Sequence, residues 1–281
     1  MILVVGGTGC LGRLLVARLV DRGERVRVLS RSWAQLPDGC ELALGDLTDS
    51  AAATAEAVAG CDAVISAAHG FLGGRGVGPA EVDGVGNEVL ITAAQRAGVR
   101  RFVLLSIRGA VESHRLELFR AKAAAERTLR PTSLDWTIIR PTAYLETWLT
   151  VIGEKLPHGP ALVFGRGKNP INMVSVEDVA DVVVACLEDP AASRQSIEVT
   201  GPVNVTMVDL ARALGAGKVR YIPRAGLRTL SLLTRPISPA FARQSATALF
   251  LDTEDMTAPP FVAARTTVSD VLASWRSVGA R

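Results

Sequence analysis

Four glycines fall within seven residues near the start of the chain, Gly6-Gly7-Thr8-Gly9-Cys10-Leu11-Gly12. Glycines at this spacing, between a strand and a helix, cradle a dinucleotide pyrophosphate. Gly6 would allow the sharp turn, Gly9 the close approach of backbone to phosphate, and Gly12 close packing of helix on sheet. Gly7, Thr8, Cys10 and Leu11 complete the turn and the helix start, whose unpaired N–H groups and positive dipole end favour an anion. The plain alternative is a strand-to-helix turn with no ligand. Further on, Ser30-Arg31-Ser32 ends a second strand with no Asp or Glu to bind ribose hydroxyls. Arg31 can instead pair with a 2′-phosphate and Ser32 can add a hydroxyl, which favours NADP(H) over NAD(H). A solvated arginine is the bland reading. Asp46, in Gly45-Asp46-Leu47, can accept from an adenine amino group while Leu47 packs on the ring. Thr48 or Asp49 would cap the next helix. Ala67-Ala68-His69 ends a fourth strand; small residues there leave room for a ribose. His69 can face a nicotinamide or be an ordinary loop histidine.

The elements that must position these residues alternate. Apolar, mostly β-branched runs mark strands at 2–5, 25–29, 41–44, 62–66, 101–106 and 135–141. Helical spacing follows the glycine turn and recurs at 80–97, with Val82, Val85, Val89, Leu90, Ala93 and Ala97 on or near one stripe, and from about 114 to 129, carrying Phe119, Lys122 and Glu126. The loop from Gly70 to Pro79 holds five glycines, a lid or a loose connection. This is the pattern of an α/β, doubly wound parallel sheet, Rossmann-type, whose ligands bind at the carboxyl ends of the strands. Gly9, Arg31, Asp46, Ala67 and Ser106 all fall there. The expected division is a nucleotide-binding domain at 1–150, taking in parts of 171–200, and a small C-terminal α/β substrate lobe over most of 151–281. In that lobe Ser175 and Asp178 would cap a helix. Leu227, Leu230, Leu232, Leu233, Phe241, Leu249 and Phe250 would form an apolar substrate wall or ordinary core.

Composition excludes other classes. Aromatics are 5% of 281 residues and the net charge is +3, without a dense basic run. Base-stacking surfaces and nucleic-acid partners are therefore not expected. The four cysteines form no CxxC pair, and only three histidines are present, so no metal site is expected and the thiols read as reduced, in a cytoplasmic chain. No apolar run is long enough for a membrane span. The expected partner is a small-molecule substrate; nothing marks an oligomeric state.

The chain resembles the atypical short-chain dehydrogenase/reductases of the NmrA-like group. The likeness is carried by Val4-Val5-Gly6-Gly7-Thr8-Gly9-Cys10-Leu11-Gly12-Arg13, Gly45-Asp46-Leu47, Ala94…Ala97-Gly98-Val99…Arg101-Phe102-Val103, Lys122…Glu126 and Trp136-Thr137-Ile138-Ile139-Arg140-Pro141. Ser175-Val176-Glu177-Asp178-Val179-Ala180 and Thr200-Gly201-Pro202 extend it. It covers roughly 1–222 and implies a Rossmann-type NAD(P)-binding domain with a substrate lobe. One departure stands out. The wider superfamily carries Tyr-x-x-x-Lys, and here Leu118 stands four residues before Lys122.

Three roles for Lys122 follow: binding nicotinamide-ribose hydroxyls, acting as base or water relay, or a solvated lysine on a helix face. A basic role would need a pKa lowered by burial or a nearby cation. Ser106 matches the family's active-site serine loosely and would hold a substrate oxygen. Two functions compete. One is an NADPH-dependent reductase of a small apolar carbonyl, enone or quinone. The other is a non-enzymatic NADP(H) sensor or assembly protein, which Leu118 favours. A bound-NAD epimerase or dehydratase is disfavoured by Arg31 and the missing phenol.

Overall fold

The computed structural model describes residues 1–48, 50–153 and 159–279, with side chains to Ser274. The chain divides into two units, one of Met1–Arg140 with Ala180–Glu198 and one of Pro141–Val179 with Val199–Arg281.

The first unit is built on β1 (Ile2–Val5), β2 (Val26–Ser30), β3 (Glu41–Leu44), β4 (Ala63–Ser66), β5 (Arg101–Leu105) and β6 (Asp135–Pro141). These six are parallel in the order β6-β5-β4-β1-β2-β3, and β10 (Gln195–Val199) lies beyond β6. All residues of β1, β4 and β5 are buried, as strands covered on both faces must be. The winding direction reverses between β1 and β4. Val5 lies opposite Leu29 on one side and Ser66 on the other. That register brings Gly6, Arg31 and Ala67 out at one edge, at the topological switch point where such sheets bind ligands.

Helix α1 (Cys10–Asp21) buries Leu11, Leu15, Val16 and Leu19, a 3.6-residue stripe. Helix α2 (Ala51–Val58) is capped by Ser50, whose side chain accepts from the N–H groups of Ala52 and Ala53. The expected cap Thr48 instead donates to Asp46, and Asp49 lies outside the described residues. A π-helical segment at Ala80–Gly86 runs into α3 (Asn87–Arg96), and α4 (Glu117–Leu129) follows β5. The expected stripe at 80–97 is corrected here. Val85 is exposed, while Asp83 and Asn87 are fully buried on the inner face with Leu90 and Ala94. The glycine loop folds back on itself: a Cβ on Gly70 would lie 2.2 Å from the Gly78 oxygen, and one on Gly73 1.8 Å from that of Val77.

The second unit holds β7 (Ala143–Tyr144), β9 (Ile171–Val174) and β11 (Asn204–Val205) in one sheet, and β8 (Ala161–Phe164) with β12 (Val219–Ile222) in another. Helices α5 (Leu145–Gly153), α7 (Met207–Ala213) and α10 (Val268–Gly279) supply its core with Leu149, Ile152, Leu210 and Val271. Helices α8 (Arg224–Leu233) and α9 (Pro239–Thr253) form a hairpin. Two expectations are revised. Ser175 accepts from the Glu177 N–H at the start of α6 (Val176–Glu188), yet Asp178 turns away to Thr266, so no capping box forms. Leu227 is buried, but Leu232, Leu233 and Phe241 are exposed rather than core.

Candidate active site

The first unit gathers its polar side chains at the carboxyl edge of the sheet. Gly6 has φ +83°, and a Cβ there would lie 2.7 Å from the Ala68 nitrogen. A Cβ on Gly12 would lie 2.0 Å from the Gly6 oxygen, and one on Gly7 2.8 Å from a Val28 methyl. The protein's own packing therefore requires glycine at 6, 7 and 12. Gly9 is different. Its backbone is ordinary (φ −75°, ψ 174°), and its Cβ would meet only the Gly6 oxygen, at 3.4 Å. It precedes α1 without a capping side chain. Nothing inside the protein needs a bare backbone here, whereas a pyrophosphate does. The residues thus fit a dinucleotide: Gly9 and the N–H groups at Cys10, Leu11 and Gly12 would face its phosphates. Thr8 is tied down by Arg13, whose Nε donates to the Thr8 carbonyl at 2.9 Å.

Arg31 leaves the end of β2 with 68% of its side chain exposed, 4.0 Å from Asp46. Ser32 is exposed, its backbone tied to the Ser30 hydroxyl. Asp46 spends Oδ1 on the N–H and hydroxyl of Thr48, both at 2.9 Å, and turns Oδ2 toward Arg31. Leu47 packs inward, so close to Gly86 that a Cβ there would meet its own at 2.9 Å. This corrects the expectation that it presents an open face to adenine. Trp33, 82% exposed beside Arg31 and Ser32, offers an aromatic face that no motif in the sequence marks.

The opposite side of the edge is interlocked. Lys122 is buried. Its Nζ lies 2.8 Å from Asp83 Oδ1, donates to the Leu105 carbonyl at 2.7 Å, and reaches the Ala68 carbonyl at 3.5 Å. The solvated-lysine reading is thereby overturned. One of its three hydrogens is donated to the Leu105 carbonyl, the ammonium faces the Asp83 carboxylate as an ion pair, and the long contact to Ala68 leaves a third hydrogen that a ribose hydroxyl can take. Asp83 also accepts from the Gly70 N–H at 2.7 Å, anchoring the chain just past His69. One turn on, Asn87 accepts from Ser66 at 2.6 Å and donates to the Asp83 carbonyl at 3.0 Å. Asp83 and Asn87 were missed in sequence, although their i, i+4 spacing in phase with Leu90 and Ala94 was the available signal. Ala67 and Ala68 are half-buried. His69 keeps an exposed edge, yet loss of water around its ring, with help from the Lys122 charge and against the Asp83 carboxylate, holds its pKa below the usual histidine value. It is neutral at pH 7.

Ser106 is placed differently from expectation. It is buried, and its hydroxyl donates to Glu126 at 2.6 Å rather than facing a substrate oxygen. Glu126 also accepts two hydrogen bonds from Arg140 and one from Arg130. Burial alone would raise the Glu126 pKa; the hydrogen bonds from Arg140 and Ser106 and the Arg140 charge outweigh it and hold it below the usual value. Ser106 is thus a positioning residue: with Glu126 it locks α4, and so Lys122, onto the sheet.

An NAD(P)H-binding family model matches residues 6–190. The chain is 33% identical over 224 residues to (4-alkanoyl-5-oxo-2,5-dihydrofuran-3-yl)methyl phosphate reductase of Streptomyces griseus, covering 76% of this chain and 74% of that one. It is 29% identical over 249 residues to the photosystem II assembly factor Ycf39 of Synechocystis, covering 83% and 74%. Among solved structures, the Citrobacter triphenylmethane reductase complexed with NADP(H) superposes with a TM-score of 0.78 at 18% identity, covering 97% and 99%, and so shares the fold. The chain belongs to the NAD(P)H-binding family of atypical, NmrA-like short-chain dehydrogenase/reductases.

Proposed function

We propose that the protein is an NADPH-dependent reductase acting on an apolar carbonyl, enone or quinone. The observation that carries this reading is the Lys122 ammonium, fixed by Asp83 among carbonyls at the ends of β4 and β5. There it would bind the nicotinamide ribose through its third hydrogen. Gly9 and the start of α1 would hold the pyrophosphate. Arg31 and Ser32 would hold the 2′-phosphate, Trp33 would offer a stacking face to the adenine, and Asp46 would accept from its amino group. When bound, the nicotinamide supplies a hydride. Leu118 offers no proton, and the Ser106 hydroxyl is engaged in its hydrogen bond to Glu126. The acceptor oxygen therefore takes its proton from water, with neutral His69 as a relay. A quinone suits that arrangement, as does any acceptor whose reduced form is a stabilised anion. The Streptomyces relative, a reductase named for a dihydrofuran bearing oxo and alkanoyl groups, supports the acceptor class. NADPH oxidation against a panel of quinones, enones and aromatic ketones tests the reading; binding without turnover of any of them overturns it.

A second reading is a nucleotide-responsive assembly factor, favoured by the Ycf39 relative and by Leu118 in place of tyrosine. It requires that oxidised and reduced cofactor shift a protein-binding surface differently. Unequal affinities for NADP and NADPH without turnover support it. Equal affinities with no turnover argue for a structural role of the nucleotide.

A further inference from the structure

The second unit carries a charge asymmetry that catalysis does not use. The whole chain is nearly balanced, with 31 Lys and Arg against 28 Asp and Glu, yet between Asp209 and Asp252 there are seven basic residues and no acidic one. Helices α8 and α9 occupy the second half of that stretch. They pack on each other, with Leu227 buried on one helix and Ala242, Ser245 and Ala248 buried on the other. Their tip is apolar and open to solvent: Leu232 is 72% exposed, Leu233 68% and Ile237 85%. Phe241 is exposed on the first turn of α9. Arg228 and Arg235 are exposed beside them, and neither forms an ion pair among the described residues. No helix among those described is long and apolar enough to cross a membrane.

We propose that the α8–α9 tip is a docking surface for an anionic lipid bilayer, with Leu232, Leu233 and Ile237 entering the interfacial region and Arg228 and Arg235 meeting lipid phosphates. Exposed aliphatic residues at a hairpin tip are costly in water and mark an interaction surface. Basic residues around an apolar tip, with no carboxylate in the same stretch, match the negative potential of a bilayer containing acidic lipids. A second copy of this chain fits less well, because two such tips would bring arginines against arginines. The proposal does not depend on the reductase reading: a reductase so docked would draw an apolar acceptor from the bilayer, and an assembly factor would meet a membrane partner there.

The test is co-sedimentation of the full chain with vesicles of phosphatidylcholine alone and with vesicles in which a third of the lipid is phosphatidylglycerol. Binding is expected to the second only, and to weaken several-fold at high salt. Ile237→Glu should lower vesicle binding by about tenfold or more, and Arg235→Glu by a similar factor. Both positions are solvent-exposed, so NADPH affinity and the circular dichroism spectrum should stay unchanged in the variants. Absence of binding to anionic vesicles overturns the proposal, as does equal binding to both compositions or binding indifferent to both substitutions. A dimer in solution that Ile237→Glu dissociates, with no vesicle binding, overturns it in favour of self-association.

Discussion

The two sides of the nucleotide edge are held by opposite means. On the side proposed for the adenosine, Arg31, Ser32 and Trp33 are exposed to water, and Arg31 lies 4.0 Å from Asp46. Around Lys122 the polar groups Asp83, Asn87, Ser66, Ser106 and Glu126 are buried and tied to one another by an ion pair and short hydrogen bonds. The open side can discriminate between ligands cheaply, because a phosphate that arrives there displaces only water. The closed side cannot adapt. It holds one lysine in one place, and it does so with groups whose removal leaves charge stranded in a low-dielectric interior.

That contrast breaks most readily at Asp83. Asp83→Ala leaves the buried Lys122 ammonium without its counter-ion and should destabilise the protein by about 3–5 kcal/mol, read from urea denaturation without cofactor. A loss below about 1 kcal/mol would show that the Leu105 and Ala68 carbonyls alone suffice, and that the closed side is not interlocked. The glycine turn separates the same two logics within one motif. Gly12→Ala drives a Cβ into the Gly6 carbonyl and should cost about 1–3 kcal/mol or more in fold stability. Gly9→Ala has no such clash, so its stability should stay within about 1 kcal/mol of the parent while NADPH affinity collapses. Calorimetry and thermal melting on both variants would decide it; equal losses of stability would remove the argument that Gly9 is reserved for a ligand.

Arg31 tests the open side. Arg31→Ala should weaken NADPH by about 1–3 kcal/mol, as expected for one charge-assisted contact, and leave NADH unchanged. Equal effects on both would show that Arg31 does not read the 2′-phosphate.

What the sequence made legible follows the same division. Strand runs such as Ile2–Val5 and Arg101–Leu105 declare themselves because burial on both faces demands apolar residues at every position. The glycine motif and Arg31 are local signals, readable from neighbours in the chain. Asp83 and Asn87 are hidden in the sequence because a buried helix face is signalled by apolar residues, not by a polar pair. The π-helical stretch at Ala80–Gly86 shifts the phase of the turn, so Val85 faces solvent and a polar pair faces inward. Ser106 and Glu126 were visible as residues, but their mutual bond spans 20 positions, and only the packed helix brings it about. The Leu232–Phe241 segment misled for the reverse reason: apolar composition implies a buried face, and here that face is open.

A prediction on pH sharpens the closed side. The folded-state pKa of Glu126 lies below its unfolded value of 4.5, so the group contributes stability that is complete above that value and drains away as pH falls through the lowered folded value. Glu126→Gln should flatten the acid limb of a stability–pH curve between those two points, with the parent showing the steeper slope. An unchanged slope would assign acid sensitivity to carboxylates elsewhere.

The smallest effect belongs to the exposed pair. Asp46 lies 4.0 Å from Arg31, and an ion pair so open to solvent contributes about 0.2–1 kcal/mol. Asp46→Asn keeps an oxygen for the Thr48 N–H and removes the charge, so the fold should scarcely respond. Binding separates two roles. If the carboxylate mainly competes for Arg31, losing it frees the guanidinium and raises NADPH affinity by roughly two- to fivefold, with NADH unmoved. If it accepts from the adenine amino group, NADPH and NADH weaken together, because both carry the same adenine. The ratio of the two affinities, rather than either alone, therefore reports whether the open side selects its ligand by the phosphate or by the base.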